Sequence, residues 1–316
     1  AALLFIFLTF STTGEWSLPA LHVTTSLATD RTLSGEELLR IGETHDYQQH
    51  YPETLTYYQL ALSTFREKKQ SRGIAATLVK IAQVYERQGK FRDADAALQE
   101  AVPILARSSD RLAHARALLV AGRISARLGH LDSARSSLSQ AVALFDRAKD
   151  KAGRNEAIVQ LGLLQVGDGS SEQGLAALQQ ARQEASTRQD RKQGLMAVVA
   201  LGTASWILDR APDASRYYEE GLHLAEQQRE TALEGALRLR LASLYAEAGR
   251  LADAVESAKR ALSLSQTLRD AVAEAAALSL LSHLYRQTGR TVEADEAEQR
   301  ALLLYGHRQI LVHGGR

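Results

Sequence analysis

Apolar positions recur along this chain at helical spacing, and the helical stretches themselves recur every forty residues. Leu78, Ile81, Ala82 and Tyr85 stand three, four and seven places apart, on one face of a helix. A second stretch carries Ala94, Leu98, Ala101, Val102 and Leu105 at similar spacing. Between the two, Gly89 stops the first helix, at a turn where a left-handed backbone costs glycine least. Gly129, Gly169, Gly249 and Gly289 share that column, with Asp209 in the remaining place.

Three more columns of the same period hold small residues. One runs Thr54, Ala94, Ala134, Gly174, Ala214, Ala254, Ala294. The next runs Ala61, Ala101, Ala141, Ala181, Gly221, Ala261, Ala301, and the last Gly42, Ala82, Gly122, Gly162, Gly202, Ala242, Ser282. Small residues let two helices of a hairpin approach closely, and larger neighbours fill the layer against the next copy. No hairpin can bury its own apolar faces alone, so stability comes from stacking. The expected fold is all-α, a solenoid of seven helix-turn-helix copies over residues 33–312, with a segment 1–32 before it and a tail 313–316.

Local signals agree with the period. Asp110, Asp150, Asp190, Glu230 and Asp270 precede successive first helices, where an acid can cap free N–H groups. Pro52 and Pro212 fall at the start of second helices, where proline is tolerated, and Pro103 falls inside one and is expected to kink it.

At these columns the chain resembles the tetratricopeptide repeat family in its longer, forty-residue variety. The resemblance rests on the pairs Ala82/Tyr85, Ala242/Tyr245 and Ser282/Tyr285, the glycine turn, the pair Ala94/Ala101, and the stretch from Leu244 to Ala254. The family's early tryptophan is replaced by Leu38, Leu78, Leu118, Ile158, Val198 and Leu278, and by Arg238 in the sixth copy. The resemblance implies a right-handed α-solenoid and a non-enzymatic scaffold. Its partner would be a peptide or helix lying in a concave groove lined by first helices. Similar arrays also precede caspase-like protease domains or accompany signalling domains, so a sensor array of a larger system is the alternative.

The groove face can be read from the residues. It opens with Glu36, Leu39, Glu43, Asp46 and Tyr47 and continues through Arg87, Arg116, Leu119, Arg123 and Arg127. Beyond these come Val159, Leu163 and Val166, then Met196, Val199, Thr203, Trp206 and Ile207. An acidic mouth thus leads to an arginine patch and an apolar floor. The candidate partner-binding residues are Arg87, Arg116, Arg123, Arg127, Leu163, Met196, Val199 and Trp206. Arginines fork onto carboxylates and aromatics fill pockets, so the expected partner segment pairs an acidic group with a large apolar side chain. The competing account of the arginines is an ordinary solvated helix face.

Composition narrows the chemistry. Lys and Arg total 38 against 37 Asp and Glu, so no basic field points to nucleic acid. There is no cysteine, which excludes disulfides, thiolate metal sites and a cysteine nucleophile. Nine scattered histidines form no H-E-x-x-H, and His45 and His50 are poorly spaced for one helical face. Gly167-Asp168-Gly169-Ser170-Ser171 reads as the turn of the fourth copy, with Asp or Ser capping the next helix, rather than a phosphate loop. No enzyme, metal or cofactor is expected.

Two ends complete the reading. Leu3 to Phe10 is the most apolar stretch and is followed by small residues, the pattern of a secretory leader or, uncleaved, a membrane anchor. Export is therefore expected, with membrane contact only through that segment. In the column Tyr58, Leu98, Leu138, Leu178, Tyr218, Ala258 the seventh copy has Glu298, suggesting a solvated end cap. Leu302, Leu303, Leu304 and Tyr305 leave self-association through the last copy open.

Overall fold

The structure, a computed structural model, describes residues 33–48 and 50–313, with side chains as far as Leu304. The leader-like segment 1–32 and the tail beyond His313 lie outside the described residues. Among those residues the forty-residue period becomes fourteen helices and no strand. The first helices are α1 (Gly35–Tyr47), α3 (Ser71–Arg87), α5 (Arg111–Arg127), α7 (Lys151–Gly167), α9 (Arg191–Ile207), α11 (Thr231–Glu247) and α13 (Ala271–Gln287). The second helices are α2 (Tyr51–Glu67), α4 (Phe91–Ala106), α6 (Leu131–Arg147), α8 (Ser171–Thr187), α10 (Ala211–Gln228), α12 (Leu251–Leu268) and α14 (Thr291–His313).

The chain divides into two compact units, Ala1–Leu128 with α1–α5 and Gly129–Arg316 with α6–α14. Within the first, each helix packs on the next, and the first helices also meet, α1 on α3 and α3 on α5. The second unit repeats the scheme, with α7 on α9 and α11 on α13. The small columns are the crossing points: Ala61, Ala82, Ala94, Ala101, Ala134, Ala141, Ala181, Ala214, Ala242 and Ala254 are all fully buried. Around them Tyr58, Leu98, Leu138, Leu178 and Tyr218 are among the largest fully buried side chains. Ala258, next in that column, is buried, and Glu298, the last, is half-exposed and paired with Arg286.

Glycine turns close five of the hairpins with φ between +74° and +95°, and Asp209 adopts +56° in the same place of a sixth. Asp110, Asp150, Asp190 and Asp270 cap the next first helix by accepting its early N–H groups. Glu230 does not: its side chain makes no cap bond to α11. Pro52 and Pro212 stand in the first turns of α2 and α10. Pro103 lies inside α4, which ends at Ala106. Ser108 then bonds Leu105 through both its N–H and its hydroxyl, and Asp110 N–H returns to the Ser108 hydroxyl. Ser170 does not cap α8 through its side chain; instead Asp168 accepts from Ser170 N–H at 3.1 Å and from Arg135.

Candidate partner-binding faces

In the first unit the acidic and basic stretches turn out to be complementary rather than separate. Asp46 of α1 pairs with Arg87 of α3, whose guanidinium also lies 5.9 Å over the Tyr51 ring. Glu43 holds Lys80 at 2.7 Å. One copy further on, Glu86 of α3 accepts a fork from Arg123 of α5, Nε at 3.0 Å and Nη2 at 2.8 Å. The period carries this ladder: an acid on one first helix meets a base about forty residues later on the next. Arg127 stays exposed beside the Phe91 ring, and Arg116 is exposed with no carboxylate partner among the described residues. Leu119, expected on this face, is buried in the core instead.

In the second unit the apolar floor is narrower than expected. Val159 and Val166 are buried in the cluster joining α7, α8 and α9, because their side of α7 meets α9 directly. Leu163 is half-buried against the same cluster. Val199 is half-buried too, its Cγ2 close against Gly221 of α10. Thr203 accepts from the Tyr218 hydroxyl at 3.3 Å. Met196 is half-buried, while Trp206 (52% exposed) and Ile207 (44%) face solvent at the end of α9.

Arg238, in the tryptophan column, is accommodated by two carboxylates, Glu226 at 2.6 Å and Glu234 at 2.9 Å. His45 and His50 come within 6.1 Å, because His50 is the residue before α2 rather than a second position on α1. His45 also stacks on Tyr57. No group of three His, Cys, Asp or Glu among the described residues could hold a metal ion. No helix among them is long and apolar enough to cross a membrane. A depression between α8, α9 and α10 is lined in part by Gly194, which has nothing within 4 Å of where a Cβ would point.

Two tetratricopeptide-repeat family profiles match the chain, one over residues 36–107 and 74–147 and the other over 236–268. Over those residues the chain carries tetratricopeptide repeats. No curated protein matches it. Among solved structures the repeat array is similar to a Rap conjugation gene regulator of the plasmid pLS20, solved in complex with the Phr peptide. There the TM-score is 0.64 at 17% identity, covering 98% of this chain and 82% of that one. It is also similar to aspartyl phosphate phosphatase F from Bacillus subtilis, with TM-score 0.65, 12% identity and coverage of 90% and 74%. A third is a signal transduction ATPase with numerous domains and a tetratricopeptide repeat sensor, from Pyrococcus horikoshii. It gives TM-score 0.59 at 16% identity, over 84% of this chain and 40% of that one. At such identities the likeness is one of fold.

Proposed function

We propose that this repeat array is a non-enzymatic interaction scaffold, holding an extended segment or helix of a partner protein against its first helices. The observation that carries the reading is Trp206. A tryptophan and an isoleucine stand side by side in water at the end of α9, the kind of anchor a partner covers. Met196, ten residues earlier, would extend that contact about 15 Å along the helix. In the first unit, Arg116 and Arg127 are the arginines of this face without a carboxylate partner among the described residues, and they favour an acidic group in the bound segment. The plasmid regulator's complex with a peptide supports peptide binding by this fold. Export, suggested by Leu3 to Phe10, belongs to the same proposal and is checked by cell fractionation.

A second reading is a sensor array working with an effector domain. The likeness to the repeat sensor of the Pyrococcus ATPase favours it, and an effector domain encoded in frame would displace the scaffold reading.

The test uses Trp206 as its own reporter. With Trp16→Phe in place, Trp206 is the remaining tryptophan of the two. A peptide library combining acidic and large apolar residues is screened by the shift of its emission. Trp206→Ala is expected to weaken a confirmed ligand about tenfold or more, while Arg116→Glu with Arg127→Glu weakens its acidic members selectively. A confirmed ligand that leaves Trp206 emission and both variants unaffected would remove this assignment.

A further inference from the structure

The second helices hold a column that the following copy covers. Leu62, Val102, Val142, Leu222 and Leu262 are buried or half-buried, each packed into a cluster that the next first helix joins, with Arg182 in the fourth copy. In α14 the column has Leu302, and among the described residues no further first helix lies over it. Leu302 is accordingly 62% exposed. The adjoining column faces solvent in every earlier copy and holds small or polar residues, Ser63, Pro103, Ala143, Gln183, His223 and Ser263. In α14 it holds Leu303, 64% exposed.

The helix that carries this pair differs from the other second helices in length and in charge. It has 23 residues where they have 16 to 18, and Leu302 is its middle residue. Residues 291–299 include Glu293, Asp295, Glu296 and Glu298 and no base. Residues 300–313 include Arg300, Arg308 and two histidines and no acid. An apolar centre thus stands between an acidic half and a basic half.

We propose that α14 pairs with α14 of a second copy of this chain, the two helices antiparallel and Leu302 and Leu303 of each at the two-fold axis. Run antiparallel, the acidic half of each helix lies beside the basic half of the other, whereas parallel pairing sets like charge against like. The exposed leucines of both copies then bury against one another. The other way to cover α14 with a second copy is to stack that copy's α1 on it, continuing the solenoid. The residues of α1 oppose this. Glu37 occupies the column where Thr77, Ala117, Ala157, Ala197, Leu237 and Ala277 are wholly buried. Stacking there would bury a carboxylate and bring it to a surface that already carries Asp295 and Glu298. None of the eight groove candidates belongs to α14, so the pairing is independent of the scaffold reading.

Sedimentation equilibrium of the full chain tests the pairing, and a monomer–dimer equilibrium is expected. Leu302→Glu with Leu303→Glu, both on the surface, should weaken the dimer about thirtyfold or more while leaving the circular dichroism spectrum unchanged. The chain has no cysteine, so a single introduced thiol reports a contact directly. Leu302→Cys should oxidise to a covalent dimer, whereas Ser263→Cys, exposed one copy earlier in the adjoining column, should not. Asp295→Cys and Gln309→Cys stand seven residues either side of Leu302. Mixed, these two variants should link to one another and neither to itself, which fixes the antiparallel direction. The proposal is overturned by a parent that stays monomeric at its highest soluble concentration, or by a dimer that the paired glutamates leave intact. It is equally overturned if Leu302→Cys links no better than Ser263→Cys, or if Asp295→Cys links chiefly to itself.

Discussion

The joint between the third and fourth copies and the joint between the fourth and fifth share one helical scheme and differ in what fills them. At the former, Phe145 of α6 is buried against α7 and fits because Gly153 has no side chain. At the latter the residue is the smaller Ala185, and a buried glutamine, Gln193, stands in the column where the glycine was. The helices on either side keep their length and turns, each joint carrying a left-handed residue before the next first helix, Lys149 and Gln189. Side-chain volume at one joint can therefore change without loss of the repeat, since each copy packs only on its neighbours.

The largest expected difference between the joints comes from emptying the filled one. Phe145→Ala should cost about 3–5 kcal/mol, because the ring is almost wholly buried and the helices cannot collapse onto the space it leaves. Urea unfolding followed by far-ultraviolet circular dichroism measures this loss, with a local early transition in α6 and α7 as the expected form. A cost below about 1 kcal/mol would mean that the joint is held by something other than the ring.

A glycine pair sharpens the contrast, because the same substitution should act with opposite sign. Gly153→Ala forces a methyl against the Phe145 ring and should cost about 1–3 kcal/mol. Gly194→Ala meets open space within a helix and should add about 0.5–1 kcal/mol by helix propensity alone. Equal effects in thermal unfolding would show that the two joints do not differ in packing as described.

Much of this was readable in the chain. The glycine column predicts its left-handed turns, the aspartates predict their caps, and the small columns predict the buried crossings, since each is a local demand of backbone or volume. Trp206 was readable for the complementary reason: a large aromatic off the core stripe has to face solvent. Other features depend on pairs of residues in different copies. The ladder Asp46–Arg87 and Glu86–Arg123 is invisible when each helix face is taken alone, and so the arginines looked unpaired. Val159 and Val166 looked exposed because the side of α7 that meets α9 could not be known from one helix. Lys69, Lys149, Gln189, Arg229 and Arg269 adopt positive φ between copies without the glycine that would have announced it. Glu230 shows the converse: the right charge is present, but its side chain makes no cap bond.

Ion pairs at the two joints provide the smallest test. Arg135 reaches across to Asp168, whose side chain is only 6% exposed, whereas Arg182 and Glu220 are each about two-fifths exposed. Burial alone would raise the Asp168 carboxyl, but the Ser170 N–H, the Arg135 guanidinium and the Ser170 hydroxyl together hold it below the ordinary carboxylate range. A folded-state value below the unfolded one means that folding favours the ionised group. Its contribution is fully present above the unfolded value of about 3.9 and is lost as pH falls through the folded value. Asp168→Asn should therefore lower stability near neutral pH by about 1 kcal/mol or less, given the solvent around Arg135, and should match the parent once both are acidified below that range. Arg182→Gln at the other joint should change stability by about 0–1 kcal/mol, since both partners of its ion pair are partly exposed to solvent. Unfolding measured at neutral pH and again below pH about 3 separates the two. An Asp168→Asn deficit that persists unchanged in acid would mean that the residue acts through shape at the Gly167–Ser170 turn rather than through its charge.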